Sequence, residues 1–229
     1  MPTPKNQKAS IRKYWLRVLK DSESYWVHDG ERRRPYVFLT GGSISNCYVN
    51  CTKIVSTPWY LERAARELLT LLKLEGCDSM PDAFCGSAYG AITLALEITR
   101  QARAREAWYA IKSGDGMEID RFSFSKDVRT IGLCEDVITH FRTTRLVVRA
   151  IEKMTQETEH KGTILPYVLC IANRSGYSEI DGYKIVSLVD IRNAKTWTRG
   201  HNPFTSDGFE QVTAVYPKKN WKLLTKVYR

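Results

Sequence analysis

The spacing of apolar residues along the chain first predicts its helices. Between residues 8 and 20 the apolar positions repeat at helical intervals, which predicts an amphipathic first helix. Thr57 and Pro58 suit an N-cap and a first helical position, and Gly76 is a stop signal, so a second helix is expected between them. A third helix leaves the small-residue loop 86–91. A fourth, "TTRLVVRAIEKMTQE", carries its apolar residues on one face.

Shorter apolar or alternating runs predict strands between these helices. The predicted strands are "PYVFL" (35–39), "CYVN" (47–50), 83–85, "AWYAIK" (107–112), "MEIDRFSF" (117–124), "TIGLC" (130–134), "ILPYVLCIA" (164–172), "KIVSLVDI" (184–191) and an edge strand "VTAVYP" (212–217). The segment 196–211 is predicted to be a loop. Strands that alternate with helices predict an α/β fold, with a mostly parallel central sheet flanked by helices.

Composition and charge restrict the kind of protein. With 229 residues, 43% of them hydrophobic, the chain can form one globular domain with a small appendage. It has no apolar run of the roughly 18 residues that a membrane span needs. No secretory signal is apparent either, so we expect a cytoplasmic protein without membrane partners, whose six cysteines are ordinary reduced side chains.

A formal net charge of +10 indicates anionic partners, either nucleic acid or phosphorylated metabolites. The positive charge is dispersed except for two dense clusters, "RRR" at 32–34 and "KK" at 218–219. Most of it is explained by solvated surfaces, so nucleic acid remains a possible but secondary partner.

Polar residues follow the predicted strands at the carboxyl edge of the sheet, where open parallel sheets bind ligands. Three loops there carry candidate chemistry: 86–91, 135–144 and 173–182. Glu135 and Asp136 are paired acids that can accept hydrogen bonds from the vicinal hydroxyls of a ribose. The turn after them, at a helix N-terminus, offers amides to a phosphate. The alternative is that the two acids are only a solvated strand end.

Four segments, in order, resemble the motifs of a known family. "CEDVITHFRTTR" resembles the phosphoribosyl pyrophosphate (PRPP) motif of the type I phosphoribosyltransferases. Three others resemble motifs of the orotate subfamily: "FCGSAYGAITLA" its pyrophosphate loop, "LCIANRSGYSEIDGYKIVSLVDI" its arginine-bearing strand, and "GGSISNCYVN" its N-terminal motif. The resemblance covers roughly residues 10–200 and implies the type I phosphoribosyltransferase fold. Residues 1–195 would form this domain, 1–56 being an N-terminal helix and hood, and 196–229 a C-terminal extension.

The resemblance also implies a site. Glu135, Asp136 and Lys112 would be the catalytic residues, and Arg174 would pair with an acidic pyrimidine base together with Thr139 and Tyr48. Binding of PRPP would involve Glu135, Asp136, Val137, Ile138, Thr139, Arg142, Thr143, Thr144, Gly86, Ser87, Ala88, Tyr89, Gly90 and Lys112. Mg²⁺ would come with PRPP and take no direct protein ligand, and the protein would be a homodimer.

The chain departs from the family's pattern where charge and glycine are usual. The glycine turn reads "HFR" here, although Arg142 adds a cation. The usual lysine of the pyrophosphate loop is Gly90, and the N-terminal arginine is Ser43. The loop that is mobile in the family reads "KSGDGMEID". It lacks a second lysine and a histidine and carries Asp115. Because the leaving pyrophosphate is stabilised by charge, these changes bear on catalysis.

Several interpretations therefore stay open. The favoured one is a phosphoribosyltransferase that acts on a pyrimidine-type base, by default orotate, in pyrimidine nucleotide synthesis. The others are a transferase with a different acceptor, and a catalytically degenerate protein that senses a ligand or binds nucleic acid or protein. Tyr89 and Trp108 are either core aromatics or base-stacking residues. His140 is either a general acid or without a role, and Phe141 could be a plug that fills the phosphate site.

Overall fold

The computed structural model describes residues 3–39, 42–77, 79–87, 89–120, 125–157, 162–197 and 214–228. Its helices are α1 (Pro4–Asp21), α2 (Thr52–Ser56), α3 (Pro58–Leu74), α4 (Ile92–Ala102), α5 (Arg142–Glu157) and α6 (Trp221–Leu224), with a 3₁₀ turn at Pro217–Lys219. The strands are β1 (Tyr25–Val27), β2 (Tyr36–Phe38), β3 (Ile44–Ser45), β4 (Cys47–Val49), β5 (Ala83–Ser87), β6 (Glu106–Ser113), β7 (Gly116–Glu118), β8 (Thr130–Ile138), β9 (Thr163–Asn173), β10 (Glu179–Ile180), β11 (Tyr183–Asp190), β12 (Thr196–Trp197) and β13 (Ala214–Val215).

The chain folds into two compact units. The larger one contains residues 1–15 and 51–192, and the smaller one contains residues 16–50 and 193–229. The smaller unit thus combines much of the predicted hood with the predicted C-terminal extension. Among its described residues it has a two-stranded antiparallel sheet of β1 and β4 and a four-stranded sheet in the order β12-β3-β2-β13.

The larger unit is built on a seven-stranded sheet in the order β10-β11-β9-β8-β5-β6-β7. Its five central strands are parallel, and the short strands β10 and β7 pair antiparallel at the two edges. This confirms the predicted α/β class with a mostly parallel sheet. Such strands are buried on both faces, which explains why β8, β9 and β11 read as apolar runs.

Helix α5 packs on one face of this sheet, because alternate strand residues such as Cys85 and Leu133 share a buried cluster with Val147 and Ile151. Helices α3 and α4 pack against β5, β6, β9 and β11. Trp108 is 2% exposed within the α5 cluster, so it is a core aromatic. All six cysteines are free and five of them are buried, as expected.

The structure corrects several local predictions. Strand β8 runs four residues further than predicted and includes Glu135 to Ile138. Of the predicted strand 117–124, only the start lies in β7, and 121–124 lie outside the described residues. Thr57 occupies the cap position of α3 but makes no side-chain cap hydrogen bond. Thr196 and Trp197, predicted as loop, pair with β3, whereas β13 confirms the predicted edge strand.

No helix in the described part of the chain is both long enough and apolar enough to cross a membrane.

Candidate functional site

Three parallel neighbouring strands bring the candidate loops to one edge of the sheet. Strand β5 ends at Ser87, β8 at Ile138 and β9 at Asn173. Ile138 pairs with Asn173, and Gly86 pairs with Cys134, so the three carboxyl ends are adjacent. The pyrophosphate loop (residues 87–91), the phosphate turn (residues 139–144) and the loop 174–178 all begin here, as predicted from the alternation of strands and helices.

The two acids lie within strand β8 and not in the loop after it, which corrects the predicted loop 135–144. Successive residues of a strand point to opposite faces, so Glu135 and Asp136 do not stand side by side. Glu135 points to the face that α5 covers, where Thr144 contacts it. Asp136 lies against Gly90 at the start of α4. Each acid therefore has its own environment and its own partners.

Glu135 is buried, with 4% of its surface exposed, and it joins the two segments that the sequence predicts to bind phosphate. The Ser87 hydroxyl donates to its Oε2, and the Thr144 hydroxyl donates to its Oε1 at 3.3 Å. Burial raises the pKa of Glu135 to about 8, and the negative charge of Asp136 adds to this, against the two hydrogen bonds. At neutral pH this carboxyl holds a proton and acts as a neutral link.

Asp136 is packed closely against the backbone of Gly90. A Cβ at position 90 would lie 2.2 Å from Oδ2 of Asp136, so only glycine fits there while the carboxylate keeps this position. The Cys51 thiol, buried, donates to the backbone oxygen of Asp136. Burial raises the pKa of Asp136, although the Val137 amide donates to its Oδ1 at 2.8 Å. The motif that this loop resembles has a lysine at position 90. Here the carboxylate of Asp136 occupies the space that a side chain at this position would need.

The pyrophosphate loop is a tight connection between β5 and α4. The Ala91 amide donates to the Ser87 carbonyl, and a Cβ at Gly86 would lie 2.3 Å from the carbonyl oxygen of Ala91. Tyr89 is 87% exposed, which rules out the core interpretation of this aromatic. Ala88 lies outside the described residues. The described part of this loop contains no cationic side chain, so its backbone amides are its main donors to an anion.

The phosphate turn keeps the conformation of a glycine turn although it has no glycine. Phe141 has a φ of +61°, in the left-handed region that glycine occupies most easily. Its ring is 2% exposed and belongs to the α5 cluster, 6.0 Å from the Tyr183 ring. Phe141 therefore packs into the core beneath the turn, and the alternative of a plug in the phosphate site is wrong.

Helix α5 begins within this turn, at Arg142, and presents its N-terminus to the site. Its first amides have no partner within the helix, and the positive end of its dipole favours an anion there. Arg142 and Thr143 are exposed, whereas Thr144 is buried on Glu135. The first turn of α5 contains no acidic residue. Amides, a hydroxyl and a guanidinium can thus meet a phosphate at this point.

Arg145 contacts the phosphate turn from its solvent-exposed side. The sequence analysis did not predict this role. Its Nη1 donates to the His140 carbonyl at 3.0 Å, and its guanidinium lies 5.7 Å above the Phe141 ring. Two further bonds, at 2.5 and 3.2 Å, reach the carboxylate of Asp181 in the β10–β11 hairpin. The signals in the sequence were the "DG" pair of that hairpin turn and an arginine four residues after Phe141.

The side expected to bind the base lies between the phosphate turn and the loop after β9. The Arg174 amide donates to the Ile138 carbonyl at 2.9 Å, and the Arg174 residue is 8% exposed. The loop is fixed by Asn173, whose side chain bonds both Ser175 and Tyr177. A cavity of about 300 Å³ opens here, lined by Thr139, His140, Arg145, Ser175, Tyr177, Glu179 and Ile180.

Two predicted site residues lie elsewhere in the described structure. Lys112 is exposed on β6, two residues beyond Ala110, which pairs with Ser87 at the end of β5. It pairs with Met117 across the hairpin that contains Asp115. Tyr48 belongs to the smaller unit, where it pairs with Trp26 and lies 6.4 Å from the Trp221 ring. The described residues contain no group of three or more His, Cys, Asp or Glu side chains that could hold a metal ion.

The chain is similar in sequence to curated orotate phosphoribosyltransferases. The chain is 27% identical over 177 residues to the orotate phosphoribosyltransferase of Caldicellulosiruptor saccharolyticus, covering 77% of this chain and 86% of the relative. It is 34% identical over 110 residues to that of Heliobacterium modesticaldum, covering 48% and 56%. No protein-family model matches the chain.

Solved structures agree on the fold. The orotate phosphoribosyltransferase of Mycobacterium tuberculosis superimposes with a TM-score of 0.54 at 17% identity, covering 81% of this chain and 97% of that one. The adenine phosphoribosyltransferase of Rhodothermus marinus gives a TM-score of 0.52 at 12% identity, covering 78% and 99%. The fold is that of the type I phosphoribosyltransferases. The sequence resembles the orotate enzymes within that group, and the similarities support a phosphoribosyltransferase, an enzyme of the glycosyltransferase class.

Proposed function

We propose that the protein transfers ribose 5-phosphate from PRPP to a pyrimidine-type base, with orotate as the acceptor. In this reaction the bond from ribose C1′ to pyrophosphate oxygen breaks, and a bond from C1′ to a ring nitrogen of the base forms. The observation that carries the proposal is the phosphate turn. Its left-handed Phe141 leads into a helix N-terminus that exposes Arg142 and Thr143.

The 5-phosphate would bind at this N-terminus. The amides of the first turn of α5 and the Thr143 hydroxyl supply neutral donors, and Arg142 supplies charge-assisted ones. The lost glycines matter little to this function if the backbone conformation is what the phosphate needs. Phe141 adopts that conformation, and Arg145 supports it through the His140 carbonyl.

Asp136 would be the acid that contacts the ribose of PRPP, next to the pyrophosphate group with its Mg²⁺. Mg²⁺ would arrive with PRPP, held by the phosphates of the substrate and without a direct protein ligand. When bound, that ion neutralises charge on the pyrophosphate. Glu135, buried between Ser87 and Thr144, would hold the two phosphate-binding segments at a fixed separation.

The base would lie near Thr139 and Arg174, at the cavity of about 300 Å³. An arginine can pair with two acceptors of an acidic base because its guanidinium is a planar fork. Lys112 would approach the leaving pyrophosphate from β6. A homodimer completes the proposal.

Calorimetric titration with PRPP and Mg²⁺ tests the proposal, followed by an assay of orotidine monophosphate formation. We expect Asp136→Asn to weaken PRPP binding, since each lost charge-assisted hydrogen bond costs roughly 1.5–3 kcal/mol. Asp115→Asn, which also removes one carboxylate, serves as the control and should bind normally or slightly better. Binding of PRPP without turnover on orotate would indicate a different acceptor. No binding to the wild type at millimolar PRPP would overturn the proposal.

A second candidate is a degenerate protein of this fold that senses a ligand or binds another macromolecule. One observation favours it: Glu135 is buried, protonated and bonded on both oxygens, so it does not offer a free carboxylate to the ribose. In this case the wild type would bind no PRPP, and the calorimetric experiment separates the two functions.

A further inference from the structure

In the smaller unit the basic cluster at residues 32–34 contacts the C-terminal segment, which also carries the second basic cluster, Lys218 and Lys219. Arg33, Arg34 and Lys226 surround the ring of Tyr228, with their charged groups 4.9, 5.1 and 5.4 Å from its centre. Lys218, Lys219 and Lys222 lie on the same C-terminal segment, in the 3₁₀ turn and α6. We call the exposed face formed by residues 32–34 and 216–228 the basic surface.

Direct bonds hold its two segments together. The Arg34 guanidinium and the indole nitrogen of Trp26 both donate to the Leu224 carbonyl, and the Tyr228 hydroxyl donates to the Arg33 carbonyl at 3.1 Å. Leu224 is fully buried in a cluster with Trp26 and Val37. Arg33, Arg34 and Lys226 are thus held near one another by the fold of this unit.

Positive charge dominates this surface. Residues 211–229 contain five lysines and arginines and no acidic residue. Asp29 pairs with Arg34, and Glu31 pairs with Arg33, but Lys218, Lys219, Lys222 and Lys226 are exposed and form no ion pair with a described residue. Like charges held close together repel, so a bound anion would stabilise the arrangement.

The form of the surface favours an extended anion with exposed bases. A single phosphate would engage only a few of these cations, whereas a phosphodiester chain can contact many at once. Tyr216, next to the basic 3₁₀ turn, is 59% exposed and offers a ring face on which a base can stack. The only helix here, α6, has four residues, which is too short for the amphipathic face that binds membranes.

We propose that the basic surface binds single-stranded nucleic acid, with phosphates on its lysines and arginines and a base on Tyr216. The contact is to the backbone, so it reads little sequence. This activity is separate from the proposed transfer reaction, whose residues Asp136, Arg142 and Arg174 belong to the larger unit. Either activity can be present without the other.

The test is fluorescence anisotropy with a labelled oligouridylate of about 12 nucleotides, within the range of known single-strand sites. The variant carries Lys218→Gln, Lys219→Gln, Lys222→Gln and Lys226→Gln. Its matched control carries Lys5→Gln, Lys13→Gln, Lys73→Gln and Lys126→Gln, four exposed lysines of the larger unit, so both variants lose the same charge.

We expect the first variant to lose at least about tenfold in affinity near 0.1 M salt and to show a weaker salt dependence, because the slope of log K against log salt scales with the number of phosphates neutralised. The control should stay within about twofold. Tyr216→Ala should reduce affinity at every salt concentration. Equal losses in both four-site variants would overturn the proposal. So would binding to phosphatidylserine vesicles but not to the oligonucleotide, or a preference for duplex over single strand.

Discussion

The phosphate turn and the pyrophosphate loop are built alike but have opposite electrostatic character. Each follows a parallel strand and leads into a helix, at the same edge of the sheet. The phosphate turn exposes Arg142 and has no acid in the first turn of α5. The pyrophosphate loop has no described cation, and the carboxylate of Asp136 lies against its Gly90.

The comparison shows that the backbone conformation of such a strand-to-helix connection and the charge of its side chains can vary independently. At the phosphate turn the glycines are gone, yet Phe141 keeps the left-handed conformation and a cation has been added. At the pyrophosphate loop Gly86 remains, yet the usual lysine is replaced by Gly90. A phosphate can use either kind of donor, so the two segments differ in complementary ways from the motifs that they resemble.

The largest expected effect concerns Phe141. Substitutions there test whether the left-handed backbone conformation or the burial of the ring determines the stability of the phosphate turn. Phe141→Ala should lower the free energy of unfolding by about 3–5 kcal/mol because it empties a core position. Phe141→Gly should cost less than Phe141→Ala, by up to about 1 kcal/mol, since glycine has no steric cost at positive φ. Urea unfolding followed by circular dichroism measures both.

The control for this ranking is Val147, which belongs to the same buried cluster but lies within α5. There Val147→Gly should cost more than Val147→Ala, because glycine destabilises a helix interior by about 1 kcal/mol. The same order of alanine and glycine at both positions would contradict the role given to the left-handed conformation of Phe141.

The next effect concerns Glu135, the link between the two segments, and depends on pH. Its pKa is about 8 in the folded protein against 4.5 for a free side chain, so the folded state keeps a proton that the unfolded state loses between these values. Stability from this group is therefore fully present below pH 4.5 and is lost as the pH rises through 8. Glu135→Gln should be increasingly more stable than wild type over that window.

Thermal unfolding at a series of pH values measures this difference. Glu97→Gln is the matched control, since the hydrogen bond from Arg100 lowers the pKa of Glu97 and places its effect on the acid side of that window. Its difference from wild type should stay constant across that window. A constant difference for Glu135→Gln as well would show that Glu135 is ionised in the folded protein.

A third effect tests the charge added at the phosphate turn. Arg142→Ala should weaken PRPP binding roughly 10- to 100-fold, since charge-assisted hydrogen bonds contribute about 1.5–3 kcal/mol each. Arg149→Ala removes an exposed arginine from the same helix and should leave affinity unchanged. Calorimetry with Mg²⁺ present compares the two, and equal affinities for both variants would show that the amides of α5 suffice without Arg142.

Much of this architecture could be predicted from the sequence because it depends on local patterns. The apolar runs of β8, β9 and β11 and the periodicity of α5 gave the sheet and its order of loops. The opposite orientation of Glu135 and Asp136 was missed because the predicted strand ended at Cys134, although alternation would have indicated it once the strand was extended.

Other features depend on contacts between distant residues and leave little trace in the sequence. The left-handed Phe141 is one, since the pattern "HFR" suggests a blocked turn, and only its burial against the α5 cluster shows why an aromatic is kept. The close approach of Asp136 to Gly90 is another, because it joins residues 46 positions apart. The partnership of Arg145 with Asp181 is a third.

The smallest expected effect concerns that partnership, which we regard as positioning the phosphate turn. Arg145 and Asp181 are 44% and 47% exposed, so their ion pair is screened by water and should contribute little to stability. The effect on function should be a change in KM for PRPP, because Arg145 also bonds the His140 carbonyl. We expect Arg145→Ala to raise this KM several-fold at unchanged kcat, and Arg145→Lys to recover part of it.

Arg100→Ala, which breaks a comparable pair with Glu97 on α4, should change neither constant. If Arg145→Ala and Arg100→Ala behave alike, the turn keeps its shape through Phe141 alone, and the arginine is only a surface contact.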